Sequence, residues 1–181
     1  MPLTTTHALV PLAGALAFAR APLRWPLIIC ASLAAAIPDL DGLTNPVWAD
    51  TWGLPTTSVY AHRGATHTLG FALLLGLIAA AFHKRLAVRA LTAAVVVGSA
   101  AASHGILDMM TNSGRPVAIL WPLSSVRVFA DWRPIQSFPV PWHHFFKLAL
   151  ERQQIEFWQL ILPMFTLALA VRLARRSAGI V

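Results

Sequence analysis

The chain is short of charge, and shorter still of acid. Only 12% of its 181 residues are charged, with seven Asp or Glu against fourteen Lys or Arg. So few charges do not coat the surface of a water-soluble domain of this length. The lone cysteine, Cys30, lies in an apolar run. It cannot form an internal disulfide, reads as a quiet buried thiol, and excludes a closed thiolate zinc site. No internal repeat and no low-complexity tail is present. The first charge, Arg20, follows the first apolar stretch, so Ala17-Phe18-Ala19 mimics a signal-peptidase site without the basic lead of a signal peptide, and no cleavage is expected.

What the chain has instead is apolar length. Hydrophobic residues make up 57%, mean hydropathy is +0.64, and seven tryptophans accompany long Ala/Leu/Val runs. These features predict an all-α, multi-pass membrane bundle of four to five embedded helices with two interfacial loop segments. The length fits a single domain over residues 1–181. The net charge of +7 sits in groups at the ends of apolar runs: Arg20 and Arg24; Lys84, Arg85 and Arg89; Arg172, Arg175 and Arg176. That is the positive-inside pattern and not a nucleic-acid footprint, so no nucleic-acid partner is expected.

Periodicity and breakers predict helices over residues 7–19, 23–37, 65–82, 86–109 and 154–173. Thr4 to Thr6 offer N-capping hydroxyls to the first, which is short for a full span of ~20 residues. Pro38 helps end the second, and Pro163 bends or interrupts the last. Residues 43–61 read as a loop at the interface. Residues 111–145, rich in Pro and Trp, either cover a site or lie on the bilayer. With the three basic groups on the cytoplasmic side, His7, Asp39, Asp41, His62, His67, His104 and Asp108 all fall on the other face, towards the periplasm or exterior. Charge bias alone draws that map.

Those residues carry the chemistry. His104 and Asp108 are four apart and share a helix face, where an imidazole and a carboxylate grip one metal ion or pair with each other. Asp39 and Asp41 repel each other unless a cation offsets them. His62 and His67, about 140° apart if both were helical, do not share a helix face. His62 therefore belongs in the lead-in loop, turned back over His67 by the freedom of Gly64. Arg63 suits a substrate anion such as phosphate, by bidentate hydrogen bonds, or snorkels at the interface. Thr66 either caps the following helix or supports a ligand. Four histidines and three aspartates exceed the needs of one tetrahedral ion, so the site holds two ions or keeps some members as base and support. Mixed imidazole and carboxylate donors suit zinc, and also manganese or iron.

In order, Thr6-His7, Pro38-Asp39-Leu40-Asp41, His62-Arg63-Gly64-Ala65-Thr66-His67 and Ser103-His104-Gly105-Ile106-Leu107-Asp108 resemble the YdjM-like membrane-bound metal-dependent hydrolases. Thr111-Asn112-Ser113-Gly114 and Trp121-Pro122-Leu123 look like that family's continuation, so the resemblance spans about residues 1–125. It implies likeness to helical zinc-dependent phospholipase C enzymes, hence hydrolysis of a phosphoester, in a lipid or otherwise. His143-His144 and Asp131 match no position of the family and read as interfacial. The resulting expectation is a membrane hydrolase with His7, Asp39, Asp41, His62, His67, His104 and Asp108 as metal ligands. Asp41, Asp108 and Arg63 are its catalytic set, one or two ions (zinc first) its cofactor, and membrane lipid its surroundings. The alternatives are a metal-ion binding or transport protein, and a structural protein whose polar clusters specify helix packing.

Overall fold

The computed structural model describes residues 2–20, 23–42, 55, 58–136 and 145–180. They form an all-α bundle. Helix α1 spans Thr4–Phe18 and α2 spans Trp25–Ala36, continued by a 3-10 turn, Ile37–Asp39. A second 3-10 turn, Ala65–His67, precedes α3, Leu69–Ala81, and α4 spans Ala90–Met109. Helix α5, Phe145–Glu156, runs through a π-turn, Phe157–Ile161, into α6, Leu162–Ser177. Among the described residues no strand forms, only the isolated bridges Thr111–Ile135 and Val117–Val128. Among the described residues, three helical stretches are long and apolar enough to cross a membrane: Trp25–Gly42, Ala90–Met109 and Leu150–Ser177. Helices α1 and α3 are apolar but shorter.

Several boundaries differ from the sequence expectation. The first helix starts at Thr4, so its threonines lie inside the first turn, and the N-cap is Leu3, whose own side chain offers no capping bond. The third helix starts at Leu69, because Thr68 takes the cap by accepting from the Phe71 N–H at 2.9 Å. Thr66 is therefore not the cap, and His67 precedes the helix instead of lying in its first turns. The fourth begins at Ala90, after a turn in which Ala87 has φ 54°. The last helix is longer than expected and carries a π-turn just before Pro163, where a missing N–H disrupts the regular ladder. Cys30 is half-buried against the core rather than fully buried. Residues 43–54, 56 and 57 of the expected interfacial loop, and His143-His144, lie outside the described residues.

The core is built from small side chains. Ala31, Ala34, Ala35, Ala72, Ala79, Ala93, Ala100 and Ala101 pack with Leu27, Leu86 and Val97 between α2, α3 and α4. Larger apolar side chains point outward: Ile29, Leu33, Leu73, Leu77, Leu91 and Val95 are all more than half exposed. In water that arrangement wastes the hydrophobic effect. In a bilayer, lipid solvates the leucines and close backbone packing holds the helices. Helices α3 and α4 approach each other most closely at Gly76, where a Cβ would lie 2.8 Å from the Ala94 carbonyl oxygen and 3.3 Å from the Gly98 Cα. Helix α6 packs on α1 through Ala13, Ala17 and Ala168, and Arg172 donates to the Leu16 and Ala19 carbonyls at the C-terminal end of α1.

Two glycines separate backbone propensity from packing. Gly14 in α1 has nothing within 4 Å of an added Cβ. Gly14→Ala is expected to leave thermal stability in detergent unchanged or raise it by up to about 1 kcal/mol. Gly76→Ala is expected to lower it by about 1–3 kcal/mol as α3 and α4 are forced apart. Equal melting temperatures for the two variants would contradict the packing described.

Candidate metal centre

The polar residues gather at one end of the bundle, where α1 begins, α2 ends, α3 begins and α4 ends. The 3-10 turn after Pro38 places Asp39 there, 6% exposed. Thr4 donates to Asp39 Oδ2 at 2.7 Å. The other oxygen, Oδ1, has no hydrogen-bond partner and lies 3.4 Å from His104 Nε2. One turn along α4, Asp108 is fully buried, and neither of its carboxylate oxygens accepts a hydrogen bond. His104 Nε2 lies 3.9 Å from Asp108 Oδ2, so the four-residue spacing does put both on one face.

The imidazoles are aimed. His104 Nδ1 is 2.7 Å from the Ala35 carbonyl. A carbonyl only accepts, so Nδ1 carries a proton and the ring turns its Nε2 inward. His67 Nε2 faces His104 Nε2 at 3.1 Å and Asp108 Oδ2 at 3.5 Å. His67 Nδ1 sits 3.0 Å from Thr66 Oγ1 and 3.3 Å from Asp41 Oδ2. Burial pushes the His67 imidazolium down, but Asp108 and Asp41 outweigh it and hold the pKa up at about 9. Asp39, His67, His104 and Asp108 thus each bring a ligand atom to a set lying within 4.8 Å of one another.

The other expected ligands flank this set. His7, fully buried, stacks on His104 with ring centroids 3.7 Å apart, and its Nε2 is 3.7 Å from Asp108 Oδ1. Neither His7 nitrogen has a hydrogen-bond partner. Asp41 and His62 form a second, half-buried group with His67. Asp41 Oδ1 meets His62 Nδ1 at 2.5 Å, and Oδ2 accepts from Thr66 at 2.6 Å. His62 does turn back over His67, edge to face at 5.2 Å. His67 joins the two groups, one nitrogen to each.

Arg63 is 1% exposed and does not snorkel. Its Nε lies 3.0 Å from Asp108 Oδ2, and Nη1 donates to Thr111 Oγ1 and the Arg115 carbonyl. Only Nη2 is left without a partner. The chain bends sharply to bury it. Arg63 has φ 64°, a costly conformation for a non-glycine residue, and a Cβ on Gly64 would collide with the Val59 carbonyl. Across the guanidinium stands Gly114 at φ 97°, where a Cβ would come within 3.2 Å of Nη1.

The Pro- and Trp-rich segment covers the site. Ala118 N–H donates to the Arg63 carbonyl, Leu69 N–H donates to the Ile119 carbonyl, and Val117 and Ala118 are fully buried. Arg127 ties the two loops together, donating to the carbonyls of His62 and Pro116 through Nη1 and of Ser58 through Nη2. Asp131 is exposed, away from the cluster. Sequence reasoning missed Arg127, and also Glu156, a buried acid in the last helix. Glu156 had a signal, because an ionisable residue inside an apolar span is a functional candidate by default. Arg127 had none, since its partners are carbonyls of distant loops.

Comparison with known proteins agrees with the motif. The family described as YdjM inner membrane protein matches residues 1–178. Inner membrane protein YbcI of Escherichia coli (strain K12) is 32% identical over 140 residues, covering 77% of this chain and 78% of that protein. No solved structure matches. The resemblance first seen over about two thirds of the chain thus extends through the last helix, and this protein belongs to the YdjM family of inner membrane proteins.

Proposed function

We propose that this membrane protein is a metal-dependent hydrolase acting on a phosphoester. One observation carries the reading. Asp39 Oδ1, Asp108 Oδ1 and both nitrogens of His7 are buried without hydrogen bonds, and Asp108 Oδ2 has the Arg63 ion pair, beside two Nε2 atoms that face each other. Each unsatisfied buried group costs about 1–3 kcal/mol, more when charged, and a shared cation removes the cost for the whole set. The donors are nitrogen and oxygen without sulfur, which suits zinc and accommodates manganese or iron. Asp39, His67, His104 and Asp108 would hold the ion, with His7 beside them. Asp41 would steady His67 through Nδ1, or hold a second ion with His62. Such an ion supplies a water of lowered pKa and polarises a phosphoryl oxygen.

The chain's own groups supply the rest. Arg63 keeps Nη2 for an anionic oxygen while Nε stays with Asp108. The half-buried Asp41–His62 pair lies at the more open side of the cluster and is placed to move protons. The basic groups at Arg20, Lys84 and Arg172 lie at the far end of the bundle, which by the positive-inside rule supports a site on the non-cytoplasmic side. The second reading, transport, has less behind it: the core cluster between α2, α3 and α4 is apolar.

Elemental analysis of detergent-purified protein is expected to find at least one divalent ion per chain, reduced by His67→Ala and by Asp108→Ala. Metal content unchanged by both substitutions would sink the reading. A screen of lipid and soluble phosphoesters is expected to show hydrolysis that chelator abolishes.

The metal-free state makes a separate prediction. The folded pKa of His67, about 9, lies above its ordinary 6.5. The stabilisation is therefore complete below pH 6.5 and is lost as pH rises through about 9. Thermal unfolding in chelator is expected to show this decline, and His67→Gln is expected to flatten it.

A further inference from the structure

Glu156 lies in a membrane-length apolar helix, yet it is only 3% exposed and its carboxylate hydrogen-bonds to the start of α1. Both of its carboxylate oxygens accept from the Leu3 N–H, at 2.9 and 2.8 Å, and Oε2 also accepts from the Thr6 hydroxyl. Leu3 is the N-cap of α1, so the carboxylate satisfies the open end of that helix and opposes its positive dipole. Arg152, one turn earlier and 7% exposed, stands 3.7 Å away and offsets the charge. One residue further along, the α-helix yields to the π-turn Phe157–Ile161, which changes the direction of the following side chains.

What Glu156 fixes is the turn that supports two of the buried ligands. Thr4, next to Leu3, holds Asp39 Oδ2 and leaves Oδ1 bare. His7, next to Thr6, stacks on His104 with ring planes 19° apart and covers one face of that imidazole. Both contacts start from the turn of α1 that Glu156 holds. The opposite end of the same helix pair is pinned separately by Arg172.

We infer that Glu156 is a positioning residue for the metal centre, acting through Leu3 and Thr6 on Thr4 and His7 and so on Asp39 and His104. The inference rests on the cation binding proposed above. The C-terminal helix is therefore part of the site's machinery, although it supplies no ligand.

The test uses full-length protein in detergent, cobalt(II) as the probe, and competition with a chelator to read the dissociation constant. Support around metal ligands is typically worth 10–100-fold in affinity. Glu156→Gln is expected to weaken cobalt binding by about that factor and to alter the visible absorption of the bound ion. Thr6→Val is expected to act in the same direction, and Thr6→Ser to restore wild-type binding. Arg172→Ala loosens the same pair of helices at the far end and serves as the control for simple destabilisation, with affinity and spectrum expected to stay at wild type. Wild-type binding in Glu156→Gln, or an equal loss in Arg172→Ala, overturns the positioning role alone. Absence of cobalt binding in the unsubstituted chain overturns the metal reading, and this inference with it.

Discussion

Asp108 sets the terms for everything around it. A carboxylate with no exposure and no hydrogen bond to either oxygen is tolerated only where positive charge or proton donors surround it. Arg63, His7, His67 and His104 all stand within 4 Å of it. That demand explains features otherwise hard to justify. Arg63 adopts a left-handed backbone, Gly64 has no room for a side chain, and a proline-rich segment folds over the guanidinium. Strain in the loop is the cost of placing a cation beside a buried anion.

The small-residue core serves the same end. Cofactor-sized polar clusters in a helical bundle need ligands from several helices to meet within a few ångströms. Backbones that touch, as at Gly76, or Gly105 against the His67 carbonyl, bring the ends of α3 and α4 close enough for His67 and His104 to face each other. Bulkier interfaces would hold those ends apart. The leucines displaced from the core face the bilayer, where they are solvated at no loss.

Much of this was legible in the chain. Apolar runs bounded by basic groups gave the spans, and charge bias placed every candidate ligand at one end before any contact was known. The four-residue spacing of His104 and Asp108 stated their shared face. The five-residue spacing of His62 and His67 correctly forced His62 into the loop. Local signals failed where tertiary contacts decide. Thr4, Thr5 and Thr6 look like capping residues, but their hydroxyls go to Asp39, Gln153 and Glu156, partners 35 to 150 positions away. Thr68, not Thr66, is the cap, accepting from the Phe71 N–H, while Thr66 donates its hydroxyl to Asp41. Which aspartate lies inside and which at the rim is not readable from Pro38-Asp39-Leu40-Asp41, since both follow the same helix end and only the 3-10 turn separates their directions.

The four innermost candidate ligands come from three separate stretches of chain, and the last two sit near the end of α4. Because a chain is made from its N-terminus, Asp39 and His67 are synthesised before His104 and Asp108. The set is therefore incomplete until most of α4 exists, and the Glu156 carboxylate that holds the start of α1 comes later still.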